Sequence, residues 1–136
     1  MAFVLDNSVI AAWLLGEDGE QAEQIVRRLA EDEAHVPALW PVELANVLLV
    51  AERRGRITEA QAHRAVEVAL ALPIRTVEVR HDRVLREVRG LAREFHVTAY
   101  DATYLHIALS ASIPLATFDH ALATAGRAAG LTVWSA

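Results

Sequence analysis

Three aspartates stand at positions where their side chains can reach a shared site. Asp6 and Asp119 each follow a short apolar run that is typical of a strand, and Asp101 precedes a stretch with helical character. A local role is open to each, because a carboxylate at the start of a helix accepts backbone N–H bonds and meets the positive end of the helix dipole. In a parallel sheet, however, the strand ends and the helix starts that follow them open into one crevice. The three carboxylates are therefore candidates for one site.

Glu43 is an acid that helix capping explains less well. Glu43 and Asn46 are the only polar side chains in residues 38–51, and a helix that is apolar on nearly every side is predicted to be buried. An isolated ionised carboxylate is costly to bury, so Glu43 must be protonated, paired or bound to a cation. Asn46 lies three residues later on the same face, where it can hydrogen-bond to Glu43 or to a metal-bound water. Pro41 suits a first helical turn and places Glu43 close to the same crevice.

If the four acids lie close together, their negative charge must be neutralised. At a separation of about 5 Å and an effective dielectric constant of about 20, each like-charge pair repels by roughly 3 kcal/mol, and six pairs sum to about 20 kcal/mol. A domain that is stable by about 5–15 kcal/mol cannot hold that charge without protons or cations. The ligands are oxygens, with no cysteine in the chain and no histidine at ligand spacing, which favours Mg²⁺ or Mn²⁺ over zinc.

An acidic magnesium site without a glycine-rich phosphate loop indicates phosphodiester hydrolysis by a metal-activated water. Ser8 and Thr117 each lie two residues from one of the aspartates. Their hydroxyls are predicted to donate to the carboxylates or to orient water. Generic hydroxyls at strand ends are the plainer alternative.

The elements that must position these residues read as an α/β fold. Short aliphatic or β-branched runs, such as residues 3–5, 74–79, 115–117 and 131–133, alternate with longer helical patterns. We therefore expect a single three-layer domain over residues 1–136, with a short central parallel sheet and helices on both faces.

Composition limits the possible function classes. The chain has 136 residues and no cysteine, which excludes disulfides and thiolate chemistry. Its longest apolar runs are shorter than the roughly 20 residues that a membrane span needs, and the N-terminus lacks a signal-peptide pattern, so we expect a cytoplasmic protein with no membrane association. The formal charge of −5 removes the simple electrostatic argument for nucleic-acid binding.

All 13 basic residues are arginine, so no step can use a lysine. Four of them recur at three- and four-residue steps, opposite the apolar positions Val84, Val88 and Leu91, and form a candidate RNA-binding stripe: Arg83, Arg86, Arg89 and Arg93. A second cluster lies at residues 53–56. A solvated helix face and a basic helix end are the alternatives for the two groups.

The order of these residues along the chain resembles that of the PIN-domain family, and the short chain resembles its VapC-type toxins. The resemblance covers residues 3–133, and each of its motifs is weak alone but specific within the ordered set. The four motifs are Phe3 to Ser8, Pro41 to Val47, Tyr100 to Leu105 and Leu115 to Leu122.

This resemblance implies a PIN-like fold and an Mg²⁺- or Mn²⁺-dependent endoribonuclease. It implies metal-binding and catalytic roles for Asp6, Glu43, Asp101 and Asp119, with support from Ser8, Asn46 and Thr117. It also implies the toxin of a type II toxin–antitoxin pair that cuts tRNA or rRNA. Such a toxin is expected to form a homodimer and to be inhibited by a cognate VapB-type antitoxin, in a heterotetramer or a larger complex.

Other interpretations stay open at this point. A PIN-like RNA-processing nuclease that is not a toxin would carry the same acids. A phosphatase or receiver-like domain would use Asp6 as a phosphoacceptor, but residue 8 is serine where a dehalogenase-type enzyme needs aspartate, and no lysine is present. In a non-catalytic binding module the acids would only cap helices.

Overall fold

A parallel five-stranded sheet forms the centre of the computed structural model, which describes residues 1–136. The strands in chain order are β1 (Ala2–Leu5), β2 (Glu33–Pro37), β3 (Ile74–Val77), β4 (Leu115–Ala116) and β5 (Val133–Trp134). They lie in the order β3-β2-β1-β4-β5, and every neighbouring pair is parallel. The chain builds outward from β1 in both directions, so a topological switch point lies between β1 and β4, where ligands of open α/β sheets bind.

Helices supply most of the remaining structure. They are α1 (Asn7–Leu14), α2 (Gly19–Arg27), α3 (Trp40–Arg53), α4 (Glu59–Ala71), α5 (His81–Arg83), α6 (Arg89–Phe95), α7 (Ala99–Ala111) and α8 (His120–Ala128). A 3₁₀ turn (Arg28–Ala30) follows α2, and a π-helical segment (Val84–Val88) joins α5 to α6. None of these helices combines the length and the apolar character of a transmembrane span.

The alternating side chains of the sheet define two cores. Phe3 and Leu5 of β1 face a cluster built with residues of α1 to α4, whereas Val4 between them faces a cluster built with α7 and α8. In β2, Ala34 and Val36 join the first cluster. Helices therefore cover both faces, and the predicted three-layer α/β architecture is confirmed.

Local signals account for several helix boundaries. Thr58 caps α4, since its hydroxyl accepts a hydrogen bond from the Gln61 backbone while the Gln61 side chain accepts one from the Thr58 backbone. After α3, Gly55 adopts φ +72°, a left-handed conformation that glycine tolerates at a helix end. The first basic residue of the cluster at residues 53–56 therefore lies in the last turn of α3.

The predicted burial of α3 on all sides is wrong. Trp40, Leu44 and Leu48 are buried, but Val42 is 71% exposed and Leu49 is 41% exposed. One face of α3 packs on the first core, and no element covers the opposite face. The apolar composition of this helix therefore produces an exposed apolar surface and leaves Glu43 only partly buried.

Candidate active site

All four candidate acids lie at elements that open on the carboxyl edge of the sheet. Asp6 directly follows β1, and Asp119 follows β4 at the N-cap of α8. Glu43 and Asp101 occupy the first turns of α3 and α7. Because every strand is parallel, this edge is common to all of them, and Asp6 and Asp119 flank the switch point between β1 and β4.

Two hydroxyl groups hold the carboxylate of Asp6. Ser8 Oγ donates to Asp6 Oδ2 at 2.6 Å, and Thr117 Oγ1 donates to the same oxygen at 2.8 Å. Asp6 is only 5% exposed. Burial raises its pKa, the two hydroxyls oppose that shift, and the nearby charge of Asp119 adds to it, so that the pKa is higher than usual. The hydroxyls therefore fix the direction of the Asp6 carboxylate and oppose the rise in pKa that burial causes.

The same hydroxyls join the chain segments that follow β1 and β4. The Phe118 backbone N–H donates to Ser8 Oγ at 2.9 Å, and the Asp119 backbone N–H donates to Thr117 Oγ1 at 3.0 Å. Ser8 and Thr117 lie 3.4 Å apart at their side-chain oxygens, although 109 residues separate them. This network sets Asp119 at a defined place relative to Asp6.

Glu43 is held by a tyrosine that sequence reasoning missed. Tyr104, which is completely buried, donates its hydroxyl hydrogen to Glu43 Oε1 at 2.5 Å. Partial burial raises the pKa of Glu43, the Tyr104 hydrogen bond lowers it, and the charges of Asp6 and Asp101 raise it further. The available signal was the position of Tyr104 three residues after Asp101, which puts both on one face of a helix.

Asp101 lies within the electrostatic reach of two other acids. Burial raises its pKa to about 6, and the charges of Asp119 and Asp6 contribute to this rise. The Thr98 hydroxyl caps α7 by accepting the Asp101 backbone N–H at 3.1 Å. Asp119 has a capping contact of its own, since its Oδ1 accepts the Leu122 backbone N–H at 2.8 Å. The carboxylates thus repel one another across a common space.

The other candidate residues lie in different surroundings. Asn46 is exposed and makes no hydrogen bond to Glu43, because the face of α3 that carries it turns towards solvent. The four stripe arginines are also exposed, but Arg83 binds both carboxylate oxygens of Glu87 at 2.8 and 3.1 Å. Its charge is compensated within the chain, whereas the other three stripe arginines form no ion pair.

The donor set suits a hard divalent cation. The ligand atoms offered at this edge are carboxylate oxygens whose mutual repulsion a cation would relieve, and the buried Oδ1 of Asn7, next to Asp6 in the chain, has no hydrogen-bond partner. No three acidic or histidine side chains are already grouped as a metal site. Magnesium binds through about one or two carboxylates and retains several waters, so it does not require such a group. The residues therefore fit Mg²⁺ or Mn²⁺.

Comparisons with known proteins identify the family and similar folds. The PIN domain family model matches residues 3–128. Ribonuclease VapC3 of Pyrobaculum aerophilum is 34% identical over 125 residues, which cover 90% of this chain and 93% of the relative. Among solved structures, a Pyrobaculum aerophilum protein superposes with a TM-score of 0.74 at 23% identity, covering 98% of this chain and 89% of that one. VapBC2 of Rickettsia felis, bound to a DNA fragment from its promoter, superposes with a TM-score of 0.70 at 11% identity. That match covers 99% of this chain and 98% of the other.

Proposed function

The chain belongs to the PIN-domain family, among its VapC-type ribonucleases, and from this premise we propose that it is an Mg²⁺- or Mn²⁺-dependent endoribonuclease that acts as the toxin of a type II toxin–antitoxin pair. The observation that carries the proposal is the position of four acids at one sheet edge, where neighbouring carboxylates raise the pKa of Asp6, Glu43 and Asp101. We assign metal binding and catalysis to Asp6, Glu43, Asp101 and Asp119.

Each residue of the site has a distinct task in this proposal. A bound divalent cation supplies activation of water and stabilisation of charge on the scissile phosphate. Ser8 and Thr117 orient Asp6 and favour its ionised form, because both donate to its Oδ2. Thr117 also fixes the backbone of Asp119. Asn46 is exposed beside the first turn of α3, where its amide is free to contact RNA or water rather than Glu43.

Helix capping does not account for this set of acids. Of the four side chains, only Asp119 accepts a capping hydrogen bond from a helix backbone. The α1 helix after Asp6 has no side-chain cap, and α7 is capped by Thr98 rather than by Asp101. This argues against a non-catalytic binding module in which the acids serve only as caps.

The RNA substrate, which we propose to be tRNA or rRNA, needs cationic contacts close to the acids. The α6 helix packs against α7, and three residues connect them. Arg93, in the last turn of α6, therefore lies at the same end as Asp101 in the first turn of α7. The unpaired guanidinium groups of Arg86, Arg89 and Arg93 are suited to phosphate contacts.

A VapB-type antitoxin is the proposed protein partner, and the Rickettsia felis neighbour is such a VapBC assembly. We further propose a cytoplasmic homodimer that joins the antitoxin in a heterotetramer or larger complex. The exposed apolar face of α3, with Val42 and Leu49, offers surface for such contacts.

Cleavage assays on purified, antitoxin-free protein test the activity. We expect nicking of total tRNA or rRNA with Mg²⁺ or Mn²⁺, none in EDTA, and a loss of at least about 100-fold in Asp6→Asn, because removal of the central carboxylate weakens cation binding. Expression of the wild type should arrest growth, and expression of Asp6→Asn should not.

Three outcomes separate the alternatives, and one variant serves as the control. Cleavage without growth arrest would favour an RNA-processing nuclease that is not a toxin. Absence of cleavage, with a melting temperature that Mg²⁺ leaves unchanged, would contradict the nuclease proposal and favour the binding module. In that module Glu43→Gln would stabilise the fold. Asp18→Asn, an exposed aspartate outside the site, is the matched control and should cut like the wild type.

A further inference from the structure

We propose that Tyr104 is a positioning residue, which holds the Glu43 carboxylate where it can bind the divalent cation. The inference rests on the proposed function, since it assigns a task within the same site. Tyr104 lies on α7 and Glu43 on α3, so the contact spans 61 residues of sequence. Neither the acidic residues nor their spacing in the sequence identifies this contact.

The contact has the form expected of a positioning interaction. The Tyr104 side chain is completely buried in the core beneath the sheet edge, and the hydroxyl is its only polar group. That hydroxyl donates to Glu43 Oε1 at 2.5 Å, and no other side chain donates to this carboxylate. Oε1 is thus occupied by a rigid donor, which leaves Oε2 for a cation.

The Tyr104 hydroxyl is also close to the segment that carries Asp6. The backbone amide of Asn7 and the carboxylate of Asp6 both lie near enough to influence the hydroxyl, in addition to Glu43. The hydroxyl that holds Glu43 at the start of α3 is thus also within electrostatic reach of the end of β1.

Without this donor, no hydrogen bond would hold the Glu43 carboxylate towards the other acids. Glu43 is partly exposed, has no arginine partner, and is repelled by the charges of Asp6 and Asp101. A glutamate has three rotatable side-chain bonds, so a repelled carboxylate turns towards solvent. The Tyr104 hydrogen bond opposes that movement and prepares the carboxylate for the cation.

Tyr104→Phe tests the inference, because it removes one oxygen atom and keeps the buried ring. We expect Mn²⁺ affinity, measured by calorimetry on the purified full chain, to fall about 10-fold, in the range found when groups that orient metal ligands are removed. The Mg²⁺ concentration for half-maximal cleavage should rise, while cleavage at saturating Mg²⁺ changes less. Tyr100→Phe is the matched control, since the only other tyrosine is 67% exposed on the same helix.

A double-variant cycle separates positioning from a purely structural role. In a Glu43→Gln background, Tyr104→Phe should cause no further loss of Mn²⁺ affinity. Glu43→Asp keeps the charge and the tyrosine but draws the carboxylate away from the hydroxyl, so it should also bind Mn²⁺ more weakly, and it tests the contact even if Tyr104→Phe does not fold.

Wild-type Mn²⁺ affinity in a folded Tyr104→Phe, with only a lower melting temperature, would overturn the inference and leave the proposed function intact. Wild-type affinity in Glu43→Asp would overturn it as well. If the wild type binds no Mn²⁺ at all, the proposed metal dependence is wrong, and this inference falls with it.

Discussion

At the scale of single residues, burial and like charges raise the pKa of the site's carboxylates, and hydrogen bonds oppose that rise. Asp6 receives two hydroxyl donors and Glu43 receives one, whereas at Asp101 burial and the charges of Asp119 and Asp6 outweigh the pKa-lowering contact with Thr98. The pKa of Asp101 accordingly rises to about 6. The protonation of Asp101 therefore links the stability of the metal-free protein to pH.

Asp101→Asn should change how stability depends on pH. The carboxyl of Asp101 has a pKa of about 6 in the folded chain against an ordinary 3.8. The folded state therefore binds more protons between these values, and stability falls as pH rises through this window. In EDTA, the melting temperature of Asp101→Asn relative to the wild type should increase from about pH 4 to about pH 7.

With Mg²⁺ present, the stability of the wild type should instead rise with pH over the same window. The reason is that the cation binds the ionised carboxylate, so its affinity increases as Asp101 loses its proton. Glu94→Gln, at an exposed position outside the site, is the control and should keep a constant offset from the wild type. An equally constant offset for Asp101→Asn would show that Asp101 does not titrate in this window.

Residue types predicted some contacts of the site and missed others. Ser8 and Thr117 were singled out by their spacing from aspartates, and both donate to Asp6. Such short-range spacing predicts these contacts because both segments leave the same sheet edge. Tyr104 was missed because its partner lies on another helix, and Asn46 does not reach Glu43 because α3 is buried on one face only. Contacts between distant helices depend on packing, which residue spacing does not encode.

At the scale of elements, the strands were easier to locate than to delimit. The run at residues 115–117 forms a strand only at Leu115–Ala116, and the run expected at 131–133 appears as Val133–Trp134. Each of these strands pairs with its neighbour over two residues only. The helical pattern at residues 84–95 contains a π-helical segment, which the regular spacing of its apolar residues did not reveal.

Two glycines distinguish the tight packing of α8 from the open surface of α6. A Cβ atom at Gly126 would lie 2.9 Å from Val133 Cγ2 and 3.2 Å from Leu115 Cδ2, whereas a Cβ atom at Gly90 would meet nothing within 4 Å. Gly126→Ala should therefore lose about 1 kcal/mol in free energy of unfolding, because overpacking exceeds the gain in helix propensity.

Gly90→Ala, the matched control for Gly126→Ala, should gain up to about 1 kcal/mol, since only the propensity changes. Urea denaturation of both variants measures the difference. Stabilisation by both substitutions would mean that α8 moves away from β4 and β5 at little cost.

At the scale of the whole molecule, the arginines divide into those used within the fold and those left free. Six form ion pairs with acids of the chain, and Arg127 binds Ser135. The remaining six have no such partner and are exposed: Arg53, Arg54, Arg64, Arg86, Arg89 and Arg93. Although the net charge is −5, the chain therefore has two groups of arginines without acidic partners, one at residues 86–93 and one at residues 53, 54 and 64.

The family and the α/β architecture followed from the sequence because they depend on the order of motifs and on the alternation of strands and helices. Which arginines are free did not follow from it. Arg83 shares the spacing of the stripe, yet it forms an ion pair with Glu87 one turn later. Arg56 shares a cluster with Arg53 and Arg54, yet it pairs with Glu17, which lies 39 residues away.

Replacing the three free stripe arginines should weaken RNA binding through lost phosphate contacts. In an Asp6→Asn background, which prevents cleavage, we expect Arg86→Gln, Arg89→Gln and Arg93→Gln together to lower the affinity for a labelled RNA. The slope of log K against log salt should become shallower by up to about 2, at about 0.7 for each single-strand phosphate contact. Fluorescence anisotropy titrations at several salt concentrations measure both quantities.

The matched control for this triple variant replaces three arginines that already have acidic partners, Arg27, Arg75 and Arg80, with glutamine. It changes the net charge by the same amount, so it reproduces any effect of the overall field but leaves the stripe intact. Equal losses in the two triple variants would mean that only net charge matters. An unchanged slope in the stripe variant would place the RNA elsewhere, with the free arginines at residues 53, 54 and 64 as the next surface to replace. A selective loss in the stripe variant would locate the phosphates along α6, on the approach to Asp101.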